Sequence, residues 1–254
     1  MHFQNISTRR NFLKTSAAVA FGSAALLSGC GDLSNKYSSK SKSSVISKGD
    51  VVLFQGDSIT DSGRTRGLTH SLGNGYVNFI AGQLTAQLPT YKLDILNRGI
   101  SGNTVTDLDA RWDADCIALK PDVLSILIGV NDIWHTIDGS YDGTIEKYET
   151  GYRALLNRTK DALPNVKLII CEPFVLRCGT VEKNISKWFP EFDDYRASAK
   201  KISDEFNAIF VPFQTMFDNA TKDVEPEYWS KDGVHLTTAG AVLMANEWLK
   251  VVGI

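Results

Sequence analysis

Val51-Val52-Leu53-Phe54, followed closely by Gly56-Asp57-Ser58-Ile59-Thr60, is the stretch from which the fold can be deduced. The apolar run is typical of a strand buried on both faces, as in a parallel sheet. A glycine directly after such a strand lets the backbone turn sharply, so the next polar side chains lie at the carboxyl edge of the sheet. Open α/β sheets bind ligands at that edge, and Ser58 is therefore a candidate nucleophile.

Strand and helix patterns alternate along the rest of the chain from about Asp50. Further strands are predicted at Leu93–Leu96, Val123–Ile128, Lys167–Cys171 and Ile209–Val211. Helices are predicted at Tyr76–Leu88, Thr104–Leu119, Thr144–Leu163, Tyr195–Asn207, Thr215–Ala220 and Thr237–Val252. Pro173–Pro190 is predicted to be a long irregular loop. The alternation predicts one α/β domain, built on a doubly wound parallel sheet of five strands.

Composition excludes several classes of protein. With 254 residues the chain is long enough to bury a full core, and its formal charge of −2 argues against a nucleic-acid partner. No cysteine and histidine spacing is typical of a zinc site, so neither a metal nor a cofactor is predicted. Cys171 and Cys178 are compatible either with a disulfide or with buried free thiols.

The N-terminus is predicted to be a targeting segment. Paired arginines, Arg9 and Arg10, precede the apolar run Ala17–Leu27, which resembles a twin-arginine export signal. The run ends in Leu27-Ser28-Gly29-Cys30, which resembles a bacterial lipobox with Cys30 as the acylated residue. The alternative is an ordinary signal peptide with a chance cysteine.

These features predict three parts of the chain. Residues 1–29 are interpreted as the signal peptide, residues 30–48 as a lipidated cysteine with a flexible Ser/Lys-rich tether, and residues 49–254 as the folded domain. We expect a protein exported through the twin-arginine pathway and held at a membrane of the periplasm or cell surface by a lipid on Cys30.

A general base for Ser58 has to come from the four histidines of the chain. His235 follows Asp232 by three residues in a glycine-containing loop, where the carboxylate can accept the ring Nδ1–H and leave Nε2 free to take a proton. The alternative is that Asp232-Gly233 is a simple turn and His235 a surface residue. His135 competes for the role of base, or borders a substrate groove.

Donors for a developing oxyanion are the third requirement. Gly102 lies in the glycine-containing segment after the second strand, where its N–H can approach a ligand. Asn131 follows the third strand and offers a side-chain amide at the same edge. Ordinary turn chemistry at Gly102 and a loop cap at Asn131 are the alternatives.

Together, Gly56-Asp57-Ser58, Gly102, Asn131 and Asp232-x-x-His235 resemble, in order, the four sequence blocks of the SGNH (GDSL) hydrolases. The resemblance covers the whole domain. It implies a flavodoxin-like three-layer α/β/α sandwich, with Ser58 as nucleophile, His235 as general base and acid, and Asp232 as its orienting residue. It also implies an oxyanion hole formed by the Ser58 N–H, the Gly102 N–H and the Asn131 side chain.

Within that family, several segments look like those of bacterial acetylxylan esterases: Gly56–Arg64, Gly73–Tyr76, Asn97–Leu108, Ala110–Trp112 and Gly129–Trp134. The resemblance implies a serine esterase that removes acetyl groups from xylan or xylo-oligosaccharides through an acyl-serine intermediate, and it is compatible with a homo-oligomer. Two departures stand out: Leu236 replaces a proline common after the histidine, and Lys231 replaces a tryptophan frequent before the aspartate.

Two other functions are also compatible with the sequence. The domain could be a lysophospholipase or thioesterase, which would need a long apolar slot, or a weakly catalytic glycan-binding lipoprotein. Trp134, Trp188 and Trp229 are candidates for stacking on sugar rings, although packing in a core is the commoner fate of tryptophan.

Overall fold

The computed structural model describes residues 45–254. The predicted signal peptide, Cys30 and most of the predicted tether therefore lie outside the described residues. Five strands form one sheet: β1 Val51–Gly56, β2 Asp94–Asn97, β3 Val123–Leu127, β4 Lys167–Cys171 and β5 Ile209–Val211. Within the same residues eleven α-helices accompany it: α1 Ser58–Asp61, α2 Tyr76–Gln87, α3 Val105–Asp115, α4 Val130–Asp138, α5 Ile145–Ala162, α6 Gly179–Lys183, α7 Ile185–Trp188, α8 Glu191–Glu205, α9 Phe213–Ala220, α10 Pro226–Trp229 and α11 Thr238–Val252.

The sheet has the strand order β2-β1-β3-β4-β5, and all its neighbouring strands are parallel. Gly56 at the end of β1 lies opposite Leu127 at the end of β3, and Leu127 lies opposite Cys171 at the end of β4. The carboxyl ends of these central strands are therefore level. Segments that leave them begin at the same edge, beside the point where the strand order reverses.

That reversal puts helices on both faces of the sheet. The chain moves from β1 outward to β2 and then back across β1 to β3, so right-handed crossovers carry α2 over one face and α3 over the other. In agreement with this, α2 packs against α11, whereas α3 packs against α5 and α5 against α8. The predicted three-layer fold with a five-stranded parallel sheet is confirmed.

Tryptophans fill the space between these layers. Trp248 of α11 packs on Phe54 of β1 with ring centroids 5.3 Å apart, and its indole N–H donates to the Ser125 hydroxyl at 3.0 Å. Trp112 of α3 is fully buried and donates to Thr159 at 2.9 Å. Both large rings are thus packed without leaving their polar atoms unpaired.

The structure differs from the sequence-based prediction chiefly in its short helices. Pro173–Pro190 is not an irregular loop throughout, because it contains α6 and α7, and α1, α4 and α10 were not predicted at all. Apart from α4, which has nine residues, these helices have only four or five, which is too short to reveal a helical period in sequence. The predicted helix Thr104–Leu119 is interrupted: α3 ends at Asp115, and a single 3₁₀ turn follows at Ile117–Leu119.

The folded domain begins a few residues before the predicted boundary at residue 49. The Ile46 side chain is only 1% exposed and belongs to the core, and Lys167 Nζ donates a hydrogen bond to the Val45 carbonyl at 2.7 Å. Two adjacent apolar residues, Val45 and Ile46, within a serine- and lysine-rich segment form no periodic pattern, so the sequence did not reveal this packing.

The cysteines of the described region are free thiols. Cys116, Cys171 and Cys178 are all buried and unbonded, and burial raises the pKa of Cys171 to about 12.

Among residues 45–254, no helix combines the length and apolar character that crossing a membrane requires.

Gly99, just after β2, packs so closely on α1 that a larger residue would collide with it. A β-carbon there would overlap the Asp61 backbone nitrogen and lie 2.7 Å from the Thr60 carbonyl carbon. We expect Gly99→Ala to lower the free energy of unfolding by about 1–3 kcal/mol, measured by urea denaturation. Gly82→Ala is the control, because nothing lies within 4 Å of a β-carbon at that position in α2. Equal stability of the two variants would contradict this prediction.

Candidate active site

Ser58 is the first residue of α1, immediately beyond the end of β1. The preceding residue, Asp57, is the N-cap of this short helix, and its side chain accepts a hydrogen bond from the Ile59 N–H at 2.9 Å. The turn that follows β1 thereby places the Ser58 hydroxyl at the carboxyl edge of the sheet.

His235 reaches Ser58 from the far end of the chain. Its Nε2 lies 2.8 Å from Ser58 Oγ, and its Nδ1 lies 2.6 Å from Asp232 Oδ2. The other carboxylate oxygen of Asp232 accepts hydrogen bonds from the N–H groups of Val234 and His235, at 2.9 and 2.7 Å. The loop therefore folds back on its own aspartate, which holds the imidazole ring in one orientation.

The loop is also fixed to its surroundings. Ser230 Oγ donates to the His235 carbonyl at 2.8 Å and accepts from the Gly233 N–H at 3.0 Å. The Leu176 N–H, in the segment after β4, donates to the Gly233 carbonyl at 2.7 Å. Sequence reasoning did not identify Ser230, because the role of a lone hydroxyl depends on the conformation of the loop around it.

Hydrogen bonds determine the protonation states of Asp232 and His235. Burial opposes ionisation of Asp232, but hydrogen bonds from the His235 ring and from the Val234 and His235 amides hold its pKa below the usual range. The hydrogen bond to Asp232 raises the pKa of His235 in spite of partial burial of the ring. An ionised Asp232 accepts the Nδ1–H, so neutral His235 presents the lone pair of Nε2 to Ser58.

Asp57 has a different environment from Asp232, although it is the direct neighbour of Ser58. Its side chain is fully buried, and Oδ2 has no hydrogen-bond partner among residues 45–254. Burial raises the pKa of Asp57 to about 7. It also raises the pKa of Asp132, at the start of α4, to about 7. Through its capping bond to the Ile59 N–H, Asp57 shapes the turn that carries Ser58.

Candidate oxyanion donors lie at the ends of three neighbouring strands. The Ser58 N–H, as the first of α1, has no partner within the helix. Gly102 has φ +84°, and its N–H makes no hydrogen bond within the described residues. Asn131 is 5% exposed, and its Nδ2 donates to the Asn103 carbonyl at 3.1 Å, which fixes the amide while leaving its second N–H available.

Among the described residues, the Ser58 hydroxyl is hydrogen-bonded to His235 and not to His135. His135 instead lies beside Gly102, with its Cε1 4.0 Å from the position of a β-carbon there. The ring is half-buried. This location agrees with the alternative that His135 borders the substrate groove.

Only one of the three candidate stacking tryptophans adjoins His235. The ring of Trp134 is half-buried, and its centroid is 6.1 Å from the His235 ring and 5.7 Å from Trp188. Trp188 is 1% exposed and belongs to the core, and Trp229 packs partly buried against that core. Core packing therefore accounts for Trp188.

A cavity of about 480 Å³ opens beside Ser58. Its lining consists of Ser58, Ile59, Ser62, Gly63, Asn74, Gly75, Tyr76, Ser101, His235, Leu236, Thr237, Thr238 and Ala241.

Across residues 45–254, no three His, Cys, Asp or Glu side chains are grouped so that they could hold a metal ion.

A parallel α/β sheet with a serine, histidine and aspartate hydrogen-bonded in series at its carboxyl edge defines a serine hydrolase. The chain belongs to the GDSL-like Lipase/Acylhydrolase family, whose sequence profile matches residues 54–243, and this membership makes it a carboxylic-ester hydrolase. The family predicted from the sequence blocks is thereby confirmed.

Known relatives span most of the chain. An acetylxylan esterase from Geobacillus stearothermophilus is 38% identical over 217 residues, which cover 82% of this chain and 96% of the relative. The crystal structure of a putative GDSL-like lipase from Parabacteroides merdae is 52% identical with a TM-score of 0.79, covering 83% of this chain and 99% of that one. The crystal structure of Axe2, an acetylxylan esterase from Geobacillus stearothermophilus, is 36% identical with a TM-score of 0.74, covering 82% and 96%.

Proposed function

We propose that this protein removes acetyl groups from xylan or xylo-oligosaccharides, with Ser58 as nucleophile, His235 as general base and acid, and Asp232 as the orienting carboxylate. The observation that carries the proposal is the continuous hydrogen-bonded series from Ser58 Oγ to His235 at 2.8 Å and from His235 to Asp232 at 2.6 Å. This geometry lets a proton leave the serine hydroxyl as the hydroxyl attacks.

Similarity to characterised relatives supports the substrate. A solved Axe2 structure is described as that of an acetyl-xylooligosaccharide esterase. Other Axe2 structures are of catalytic mutants in which a serine, an aspartate and a histidine are each replaced by alanine, with the histidine three positions after the aspartate. Asp232 and His235 are likewise three positions apart, and both follow Ser58 in the chain.

The first half of the reaction acylates Ser58. Its Oγ attacks the acetyl carbonyl carbon while Nε2 of neutral His235 accepts the hydroxyl proton, and ionised Asp232 stabilises the imidazolium that forms. The negative charge moves to the carbonyl oxygen, which the N–H groups of Ser58, Gly102 and Asn131 surround. His235 then gives its proton to the sugar oxygen as the C–O bond breaks, leaving acetyl-serine.

The second half regenerates the enzyme. His235 takes a proton from water, and the hydroxide so formed attacks the acetyl carbon through a second tetrahedral intermediate in the same oxyanion hole. The proton returns to Ser58 Oγ as acetate leaves.

Because His235 acts as a base, we expect kcat/KM to rise as the pH rises through the pKa of His235. The hydrogen bond to Asp232 raises that pKa.

We expect Asn131→Ala to lower kcat for acetyl-ester hydrolysis by about 10²–10³-fold, because the transition state loses a side-chain donor to its oxyanion. Steady-state kinetics with 4-nitrophenyl acetate measures the effect. Asn157→Ala is a suitable control, because Asn157 is an exposed residue of α5. A kcat of Asn131→Ala within a few-fold of wild type would remove Asn131 from the oxyanion hole.

A substrate panel tests the proposed activity itself. We expect the highest kcat/KM on acetylated xylo-oligosaccharides, lower values on 4-nitrophenyl acetate, and the lowest on long-chain 4-nitrophenyl esters and lysophospholipids. Preference for the long acyl chains or for lysophospholipids would instead favour the acyl-hydrolase alternative. A protein that binds xylo-oligosaccharides without turnover would favour the glycan-binding alternative.

We further propose that the domain is exported through the twin-arginine pathway and anchored to a membrane by lipid on Cys30. The support is the sequence Leu27-Ser28-Gly29-Cys30 after the paired arginines Arg9 and Arg10. The test is metabolic labelling with a fatty acid in a bacterial host. Wild type is expected to carry the label and Cys30→Ser to lack it, and an unlabelled wild type would refute the anchor.

A further inference from the structure

The cavity beside Ser58 is polar but almost free of charge. Hydroxyl or amide side chains come from Ser62, Asn74, Ser101, Thr237 and Thr238, and His235 is the one imidazole in the lining. No lysine, arginine, aspartate or glutamate is part of the lining. A ligand that fits such a cavity is neutral and hydroxyl-rich, since the lining offers hydroxyl and amide partners but no lysine or arginine to pair with an anionic group.

Asn74 is fixed at this cavity by close packing of its backbone. Its N–H donates to the Ser62 carbonyl at 2.8 Å. A β-carbon on Gly73, whose φ is +76°, would overlap the Asp61 carbonyl oxygen, and one on Gly75 would lie 2.6 Å from Ser62 Cβ. The segment 73–75 therefore lies directly on the turn that ends α1, four residues beyond the nucleophile, and presents the Asn74 side chain to the cavity.

Three of the lining side chains keep their hydrogen-bonding capacity. The side chains of Ser62, Asn74 and Thr238 make no hydrogen bond to other described residues. Ser101 and Thr237, in contrast, already donate to Asp61 Oδ2 at 3.0 Å and to the Tyr228 carbonyl at 2.7 Å. An amide that can both donate and accept, in the same cavity as two free hydroxyls, is matched to the hydroxyl groups of a sugar ring.

We propose that Asn74, together with Ser62 and Thr238, binds the hydroxyl groups of a neutral sugar in the alcohol half of the ester. This specificity site rests on the proposed function, because it lies beside the hydroxyl that attacks the ester. It selects acetylated neutral carbohydrates over esters whose alcohol is an aryl group, which offers no hydroxyls, or carries a phosphate, which meets no cation.

Two acetates with different alcohols separate this role from a role in binding the acetyl group. The substrates are a mono-acetylated methyl xyloside and 4-nitrophenyl acetate, and the variants are Asn74→Ala and Thr238→Val. We expect each variant to lose about 3- to 10-fold in kcat/KM on the xyloside, mainly through KM, which corresponds to one neutral hydrogen bond. The loss on the xyloside should exceed the loss on 4-nitrophenyl acetate at least about threefold.

Asn78→Ala is the matched control, because Asn78 is an exposed asparagine of α2 that is not part of the cavity lining. We expect it to retain wild-type kcat/KM on both substrates. Equal losses on the two acetates in Asn74→Ala and Thr238→Val would overturn the proposal, since the cavity would then bind the acetyl half. Unchanged kinetics on the xyloside would overturn it as well.

The same assays test the proposed function separately through Ser58→Ala. Persistent hydrolysis by that variant would refute Ser58 as nucleophile whatever Asn74 does. If Ser58→Ala is inactive on both acetates while Asn74→Ala shows no selective loss, the esterase mechanism stands and the sugar-binding role of Asn74 fails.

Discussion

Ser58→Ala is expected to lose at least about 10⁴-fold in kcat for hydrolysis of an acetyl ester, while the protein remains folded. The variant has no oxygen to attack the carbonyl, so no acyl-enzyme forms, and only binding and the oxyanion donors remain to assist attack by water. Steady-state kinetics with 4-nitrophenyl acetate and thermal denaturation measure the two quantities. A fluorophosphonate that labels active serines should modify wild type at Ser58 and leave the variant unlabelled.

Ser186→Ala is the control for this experiment, because Ser186 is an exposed serine of α7. We expect its kcat and its labelling to equal those of wild type. If Ser58→Ala kept more than about a tenth of wild-type kcat, another residue would have to be the nucleophile, and the mechanism proposed here would be wrong.

Asp232→Asn is expected to lower kcat by about 10⁴-fold with little change in the position of the histidine. The asparagine oxygen can still accept from the Val234 and His235 N–H groups, which now bond to Asp232 Oδ1. Its NH₂ group then faces His235 Nδ1 and favours the tautomer with the proton on Nε2. A histidine in that tautomer cannot take the proton of Ser58 Oγ.

The pH dependence gives a second readout for the same variant. The hydrogen bond to Asp232 raises the pKa of His235, and activity requires the neutral ring, so activity is lost as the pH falls through that pKa. Loss of the carboxylate lowers the pKa of His235, and the acid limb of the residual kcat/KM profile should therefore shift to lower pH. Asp223→Asn, at an exposed aspartate, is the control and should retain both rate and profile. An unshifted acid limb in Asp232→Asn would refute this assignment of the pair.

Much of the fold could be predicted because long elements carry their own periodic pattern. The strands Lys167–Cys171 and Ile209–Val211 have the bounds that their apolar runs indicate. The helix predicted at Tyr76–Leu88 is one residue shorter in the structure, where it ends at Gln87. The four-residue helix α1 was not predicted, since its conformation depends on the cap that Asp57 forms and not on a pattern of apolar residues.

The sequence by itself determined the parallel sheet and the identities of the candidate site residues, because apolar strands and the spacing of a few polar residues are local properties. Only the tertiary structure decided how those residues meet. It brings Ser58 Oγ within 2.8 Å of a histidine 177 positions away, and it buries Asp57 while leaving Asp232 hydrogen-bonded to that histidine. It also brings Asn74 and Thr238, from opposite ends of the domain, to one neutral cavity. Burial, hydrogen bonding and the electrostatic environment of each group arise from contacts between segments distant in sequence, and no local pattern contains them.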